Sequence, residues 1–177
     1  MAESDDLVQI INGCKAGEAG SFETLVDIYG RRCYSYFYRL TGNREISDDL
    51  LSELFVKLVT KIGSFKGGSF ESWLFKTASN VFYDYLRDKQ RQRRLLEARE
   101  KQVKAKLIEA KKSGAEQIDK LQIELEKLDA ETRELIMLRF YSQLRFKEIA
   151  GMRGEPIGTT LSKVHRGLKK LRELMEQ

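Results

Sequence analysis

Residues 128–175 read LDAETRELIMLRFYSQLRFKEIAGMRGEPIGTTLSKVHRGLKKLRELM, three helical periods interrupted at two places. Leu128 and Asp129 open a helix carrying Leu135, Ile136, Leu138 and Phe140; residues 146–152 make a short second helix; Arg153-Gly154-Glu155-Pro156 is a turn. A last helix runs from there to about Met175. Pro156, the only proline of the chain, sits where a first helical turn needs no amide donor. A short helix, a glycine-containing turn and a long basic helix form the helix-turn-helix pattern. In the last helix Ile157, Thr160, Val164, Leu168 and Leu171 share one face. Leu161, Ser162, Lys163, His165, Arg166 and Lys169 fall largely on the remaining surface, a mixture of charged and hydrogen-bonding groups suited to a major groove.

Upstream, helical spacing again dominates and no run alternates apolar with polar residues. Ser4, Asp5 and Asp6 cap a first helix bearing Leu7, Ile10, Ile11 and Cys14, which ends before Gly17. Phe22, Leu25, Val26, Tyr29, Cys33, Tyr36, Phe37 and Leu40 form one long apolar stripe, stopped by Thr41-Gly42-Asn43. Ser47 is the expected cap of a third helix with Leu51, Leu54, Phe55, Leu58, Val59 and Ile62 inward, Asp48, Asp49 and Glu53 outward, and Gly63 at its end. After the break Phe65-Lys66-Gly67-Gly68-Ser69, a fourth helix runs from Phe70 to about Leu86. The predicted organisation is therefore all-α: a helical module over 1–88, a linker over 89–127 and a second small module over 128–177. The linker holds no proline, one glycine (Gly114) and too few apolar residues for a core, so helical pieces are expected in it. Leu96 and Val103 stand one heptad apart, but the pattern does not continue as a coiled coil would.

Charge is distributed in blocks. Residues 1–86 hold 9 basic and 12 acidic side chains, a net of −3; residues 87–112 hold 11 and 4, net +7. Residues 113–144 return to −3 with 4 and 7, and residues 145–177 carry 8 and 4, net +4. Basic blocks closing otherwise acidic modules suggest two contacts with a polyanion, since phosphate neutralisation supplies most non-specific nucleic-acid affinity. Solvated helix surface is the plainer account of the same charges. Several classes fall away. No stretch approaches the ~20 apolar residues of a bilayer span, and Glu3, Asp5 and Asp6 stand where a signal peptide needs positive charge, so a cytoplasmic location is expected. Cys14 and Cys33 are isolated from each other and from the single His165, so no zinc spacing or disulfide framework can be built and both read as core thiols. There is no paired-carboxylate, metal or activated-nucleophile constellation, and no glycine-rich phosphate loop ending in Lys-Ser/Thr. Neither catalysis nor a cofactor is expected.

The stretches FETLVDIYGRRCYSYFYRLTGN (22–43) and SDDLLSELFVKLVTKIGSFKGGSFESWLFKTASNVFYDYLR (47–87) resemble region 2 of bacterial RNA polymerase sigma factors of the extracytoplasmic-function (ECF) group in the sigma-70 family, and 128–175 resembles their region 4. The resemblance implies a subunit that binds core RNA polymerase and directs promoter-specific transcription initiation by recognising the −35 and −10 elements and stabilising melted −10 DNA. It implies a polymerase-docking helix with Asp49 and Glu53 at acidic positions, though Ser52 replaces a common glutamine. Lys66, Gly67, Gly68, Ser69 and Phe70 correspond to the −10 loop, where an unstacked base needs a trap of glycine backbone, aromatic and hydrogen-bonding groups. Trp73, Lys76, Asn80 and Tyr83 follow on the helix facing the non-template strand, with Arg87, Lys89 and Arg91 toward phosphates. Trp73 on an amphipathic helix also reads as simple packing.

Two departures stand in that segment: Ser79 where a basic residue is common and Gly68 where an acidic one is frequent. In the last helix Ser162, Lys163, His165, Arg166 and Lys169 form the −35-facing set. Leu161 replaces a basic residue able to bond guanine twice, leaving only apolar contact such as a thymine methyl. Core polymerase and promoter DNA are the implied partners; an anti-sigma factor, and folding of the two modules against each other, stay open. So do two rival readings, an autonomous dimeric helix-turn-helix regulator and a self-associating helical scaffold.

Overall fold

The structure, a computed structural model, describes residues 2–100 and 120–176. Those residues form α1 (Ala2–Ala16), α2 (Ala19–Thr41), α3 (Arg44–Lys61), a 3-10 turn (Ile62–Ser64), α4 (Phe70–Glu100), α5 (Lys120–Glu126), α6 (Ala130–Phe140), α7 (Phe146–Arg153) and α8 (Ile157–Met175), with no strand among them. No helix among the described residues is long and apolar enough to cross a membrane.

The stripe of α2 buries Leu25, Tyr29, Cys33, Tyr36, Phe37 and Leu40, while Val26, expected with them, is exposed. Gly42 ends the helix with φ 64°, and its amide returns to the Tyr38 carbonyl at 2.8 Å. The next helix starts at once, which moves its cap. Asn43, not Ser47, is the N-cap of α3, its side-chain oxygen accepting from the Ile46 amide at 2.9 Å. Ser47 lies buried one turn inside, donating to the Asn43 carbonyl at 2.6 Å and 2.8 Å from the Thr41 hydroxyl. An amide side chain directly after a left-handed glycine captures the orphan donors one turn earlier than the hydroxyl could.

The inward face of α3 is also rotated from expectation. Leu50, Leu54 and Leu58 are buried with Ile62; Leu51 and Phe55 are half-buried, and Val59 is 54% exposed beside Val56 at 63%. This helix is apolar around most of its circumference, so periodicity alone does not select which stripe meets α2 and α4. Likewise α1 begins at Ala2, before its expected cap.

Helix α4 runs 31 residues without a break, so the basic block at 87–100 continues the helix instead of leaving it. Its first half buries Leu74, Phe75, Ala78, Val81 and Phe82; from Arg87 to Leu96 every side chain is exposed. The middle of the expected linker, 101–119, including Val103 of the heptad pair, lies outside the described residues. Its last part is α5, which buries Leu125 and packs on α8 and α2.

In the C-terminal module Asp129 caps α6, accepting from the Thr132 amide at 2.9 Å. Gly154 (φ 66°) ends α7, and Pro156 precedes α8 with φ −60°. Gly167 allows α8 to pass close to Thr132 and Ile136 of α6. Leu135, Leu138, Leu144, Ile149 and Val164 belong to the same continuous core as Tyr36, Phe37 and Phe75 of the first module. Cys14 and Cys33 are free and buried, and burial pushes the Cys33 thiol up to about 12, which removes it from thiolate chemistry.

Candidate nucleic-acid interface

Between the 3-10 turn and α4 the chain makes a loop whose tip is two glycines with positive φ, Gly67 at 106° and Gly68 at 91°. Side-chained residues rarely adopt these angles, so the Gly-Gly pair is required by the turn itself. Lys66, Gly67, Gly68 and Ser69 are exposed. The aromatic residues at the loop's ends point inward: Phe65 and Phe70 meet edge to face at 5.5 Å and are both buried. Trp73 packs 5.7 Å from each, and Tyr29 closes the cluster on Phe70. Phe70 is thus a foundation of the loop, and Trp73, half-buried, both packs and presents one side to the surface. Lys15 of α1, not foreseen from sequence, donates to the Phe65 carbonyl at 2.8 Å and lies 5.5 Å above its ring. Ser69 completes the support by accepting from the Ser72 amide at 3.1 Å.

Along α4, Lys76 and Asn80 are exposed and Tyr83 is half-buried, its hydroxyl donating to Glu134 at 2.9 Å. Burial, reinforced by that carboxylate, pushes the Tyr83 phenol up to about 12. Arg87 pairs with Asp84 and Arg91 with Asp88, while Lys89 lies 5.7 Å from the centre of the Tyr85 ring. Burial works the other way, but the Lys57 and Arg87 contacts hold the Asp84 carboxyl below its ordinary value. On α3 both Asp49 and Glu53 are exposed, Glu53 bridged to Lys57 at 2.7 Å, beside the apolar Val56 and Val59. That mixed acidic and apolar face suits a basic protein partner better than DNA.

On α8, Leu161 (42% exposed), Ser162, His165, Arg166 and Lys169 all face outward. Lys163 is differently placed. Its amine bonds Glu131 at 2.8 Å and Glu155 at 2.7 Å, and those contacts raise its pKa. Glu131 and Glu155 are lowered in turn, chiefly by Lys163. Glu155 also accepts from Thr160 at 2.7 Å. This lattice braces the turn between α7 and α8, so Lys163 fixes the start of α8.

Sequence reasoning also missed Glu134. Fully buried on α6, it accepts from Tyr36 of α2 (3.2 Å), from Ser79 and Tyr83 of α4, and from Arg153 of α7 (2.7 Å). Only its place beside the apolar run 135–138 hinted at burial.

The described residues are helical apart from their turns and loops, and they present two exposed polar and basic surfaces, one on the Gly67-Gly68 loop and α4 and the other on α8. Family models agree with that division: sigma-70 region 2 matches residues 25–92 and sigma-70 region 4 matches residues 125–173. The chain is 31% identical over 162 residues to the ECF RNA polymerase sigma factor SigE of Mycolicibacterium smegmatis, covering 88% of this chain and 62% of that protein's length. It is 30% identical to the RNA polymerase sigma factor YlaC of Bacillus subtilis, covering 86% of this chain and 88% of the relative, and 29% identical to ECF sigma factor SigW of B. subtilis, covering 92% and 93%. Among solved structures it is similar to the sigma factor RpoE of Bartonella quintana in complex with the anti-sigma factor NepR, with TM-score 0.69, 25% identity and 88% and 96% of the two chains covered. It shares the fold of CnrH in complex with the cytosolic domain of CnrY, with TM-score 0.70 at 22% identity and 94% and 95% coverage. The chain belongs to the ECF group of sigma-70 family RNA polymerase sigma factors.

Proposed function

We propose that this chain is a non-enzymatic promoter-specificity subunit that binds core RNA polymerase, reads a −35 element with α8 and holds melted −10 DNA on the loop 65–70 and α4. The observation that carries this reading is the presence in one chain of two separate exposed polar and basic surfaces, one on a preformed glycine loop and one on a recognition helix. A duplex reader alone has use for only the second. In this reading residues 1–88 form the polymerase and −10 module, 89–127 the linker and 128–177 the −35 module. Lys66, Ser69, Trp73, Lys76, Asn80, Tyr83 and Arg87 contact the −10 strand, with Gly67 and Gly68 shaping its trap and Phe70 supporting them. Leu161, Ser162, His165, Arg166 and Lys169 contact the −35 major groove, with Lys163 setting the entry of α8. Asp49 and Glu53 pair with basic side chains of the polymerase. An anti-sigma protein is proposed as a further partner on the likeness to RpoE, which was solved with one.

Binding energy supplies promoter opening, and polymerase performs the chemistry. Transcription from a randomised promoter library by core polymerase, with and without this protein, tests the reading. New starts preceded by a shared −35 and −10 pair are expected; polymerase that neither binds the protein nor gains new starts would overturn it.

A further inference from the structure

Helix α1 precedes residues 25–92, the part of the chain that matches region 2. Its apolar spacing buries Ile11 and Cys14, which accounts for its packing but not for its polar side chains. The helix packs on α2 and on the 3-10 turn, and so comes to lie beside the glycine loop. Between α1 and that loop is a cleft of about 420 Å3, within the roughly 300–1,000 Å3 of small-ligand sites. Lys66 and Ser69 line this cleft and also border the space on the other side of the loop, where Lys76 of α4 stands. A strand lying on Lys76 and crossing the loop at Lys66 therefore arrives at α1.

The walls of the cleft suit a nucleotide. Leu7, Val8 and Ile11 supply an apolar side from α1, with Val8 left 52% exposed, and Phe65 and Phe70 line it from the ends of the loop. Apolar and aromatic walls accept the face of any unstacked base. Lys15 and Lys66 add positive charge. Elsewhere Lys57, Lys127, Arg153 and Lys163 are each bridged to a carboxylate. Among the described residues Lys15 instead meets only Phe65, its carbonyl at 2.8 Å and its ring at 5.5 Å, and Lys66 has no bonded partner. An ammonium carries three donors, so two remain at Lys15. Cations without a carboxylate beside an apolar cleft match an anion attached to an apolar group, as phosphate is in a nucleotide.

Glu71, half-buried, lines the same cleft. Tyr29 donates to one of its oxygens at 2.9 Å, and the other oxygen receives no bond from the described residues. A carboxylate oxygen only accepts, so it favours a base edge with an exocyclic amine, N6 of adenine or N4 of cytosine, and repels O4 of thymine and O6 of guanine.

We infer that the cleft between α1 and the glycine loop is a nucleotide subsite for single-stranded DNA, with Lys15 and Lys66 on the phosphate and Glu71 selecting adenine or cytosine at the base. The inference deepens the proposed function: it rests on that reading for the strand, and adds α1 to a surface otherwise made of the loop and α4.

The test uses the full-length protein and short fluorescein-labelled oligothymidine strands, either all thymine or with one central cytosine, adenine or guanine. Fluorescence anisotropy gives affinity and its dependence on salt between about 50 and 200 mM. Wild type is expected to bind the cytosine or adenine strand about fivefold or more tighter than the thymine and guanine strands. Lys15→Met keeps the aliphatic stem and is expected to weaken every strand while lowering the slope of log K against log salt by about 0.7, the share of one single-strand phosphate. Lys15→Arg is expected to restore both affinity and slope. Glu71→Gln, which keeps an oxygen for Tyr29, is expected to abolish the base preference with the slope unchanged. Helical circular dichroism verifies folding of each variant, and Glu71→Gln keeps the test decisive if Lys15→Met unfolds. Weaker binding of Lys15→Met at an unchanged slope makes Lys15 only a brace of the loop and overturns the phosphate contact. A base preference that survives Glu71→Gln, or its absence in wild type, overturns the selection, and a wild type that binds no strand at low salt overturns the subsite outright. Displacement of the strands by equimolar dAMP or dCMP overturns the strand assignment in favour of a free nucleotide. Failure of the proposed function is read separately, in a promoter library that gains no new starts.

Discussion

Asn43 and Ser47 show how a single side chain sets an element's origin. Both are good capping residues by type, but the left-handed Gly42 delivers the chain with Asn43 extended, and its oxygen reaches the Ile46 amide. Asn43→Ala is expected to lower stability by about 1 kcal/mol in urea denaturation, the usual worth of an N-cap. Gly167 is fixed by proximity instead: a Cβ there would collide with Thr132 Cγ2 and come within 3.2 Å of Ile136 Cδ1. Gly167→Ala should cost about 1–3 kcal/mol by overpacking, whereas Gly158→Ala, with nothing near its Cβ, should be neutral or slightly stabilising in the same assay. Acid sensitivity also belongs to this scale. The Glu131 and Glu155 carboxyls lie below their ordinary value of 4.5 through their bonds to Lys163. Their contribution is complete above that value and is lost as pH falls through the depressed folded values. Lys163, raised above 10.5, loses its share only as pH rises past that value. Melting temperature from pH 7 to 3 should therefore fall less steeply in Glu131→Gln/Glu155→Gln than in wild type; parallel curves would refute the coupling.

Two helices illustrate what an element's sequence does and does not convey. The polar face of α8 was legible because Thr160, Val164 and Leu171 recur at helical spacing against a strongly charged remainder, and these three are buried. On α3 the apolar residues nearly encircle the helix, and the stripe that packs is the one meeting α2 and α4, with Val56 and Val59 left outside. Leu54→Ala should thus cost about 2–5 kcal/mol of stability as a core cavity. Val56→Asp/Val59→Asp should leave stability nearly unchanged and weaken binding to core polymerase in a pull-down or titration. On α8, Leu161→Arg is expected to move the preferred −35 sequence toward guanine at the position it faces, measured by sequencing library starts. An unchanged preference would remove Leu161 from the reading set.

At the scale of the whole molecule, local rules lose their reach and contacts between distant segments take over. The sequence by itself determined the helical periods, the breaks at Gly42, at Gly67-Gly68 and at Gly154-Pro156, and the alternation of charge that marks two basic surfaces. Each of these depends on neighbours within a turn or two, where backbone sterics and side-chain spacing act directly. The tertiary structure alone decided that Glu134 is buried, that Lys163 braces a turn, and that Phe70 points into the core. Glu134's donors Tyr36, Ser79 and Tyr83 lie 98, 55 and 51 positions away along the chain. A carboxylate beside an apolar run looks the same in sequence whether it faces water or hydroxyls, because what makes its burial tolerable is a set of partners that only packing of one module on the other brings together.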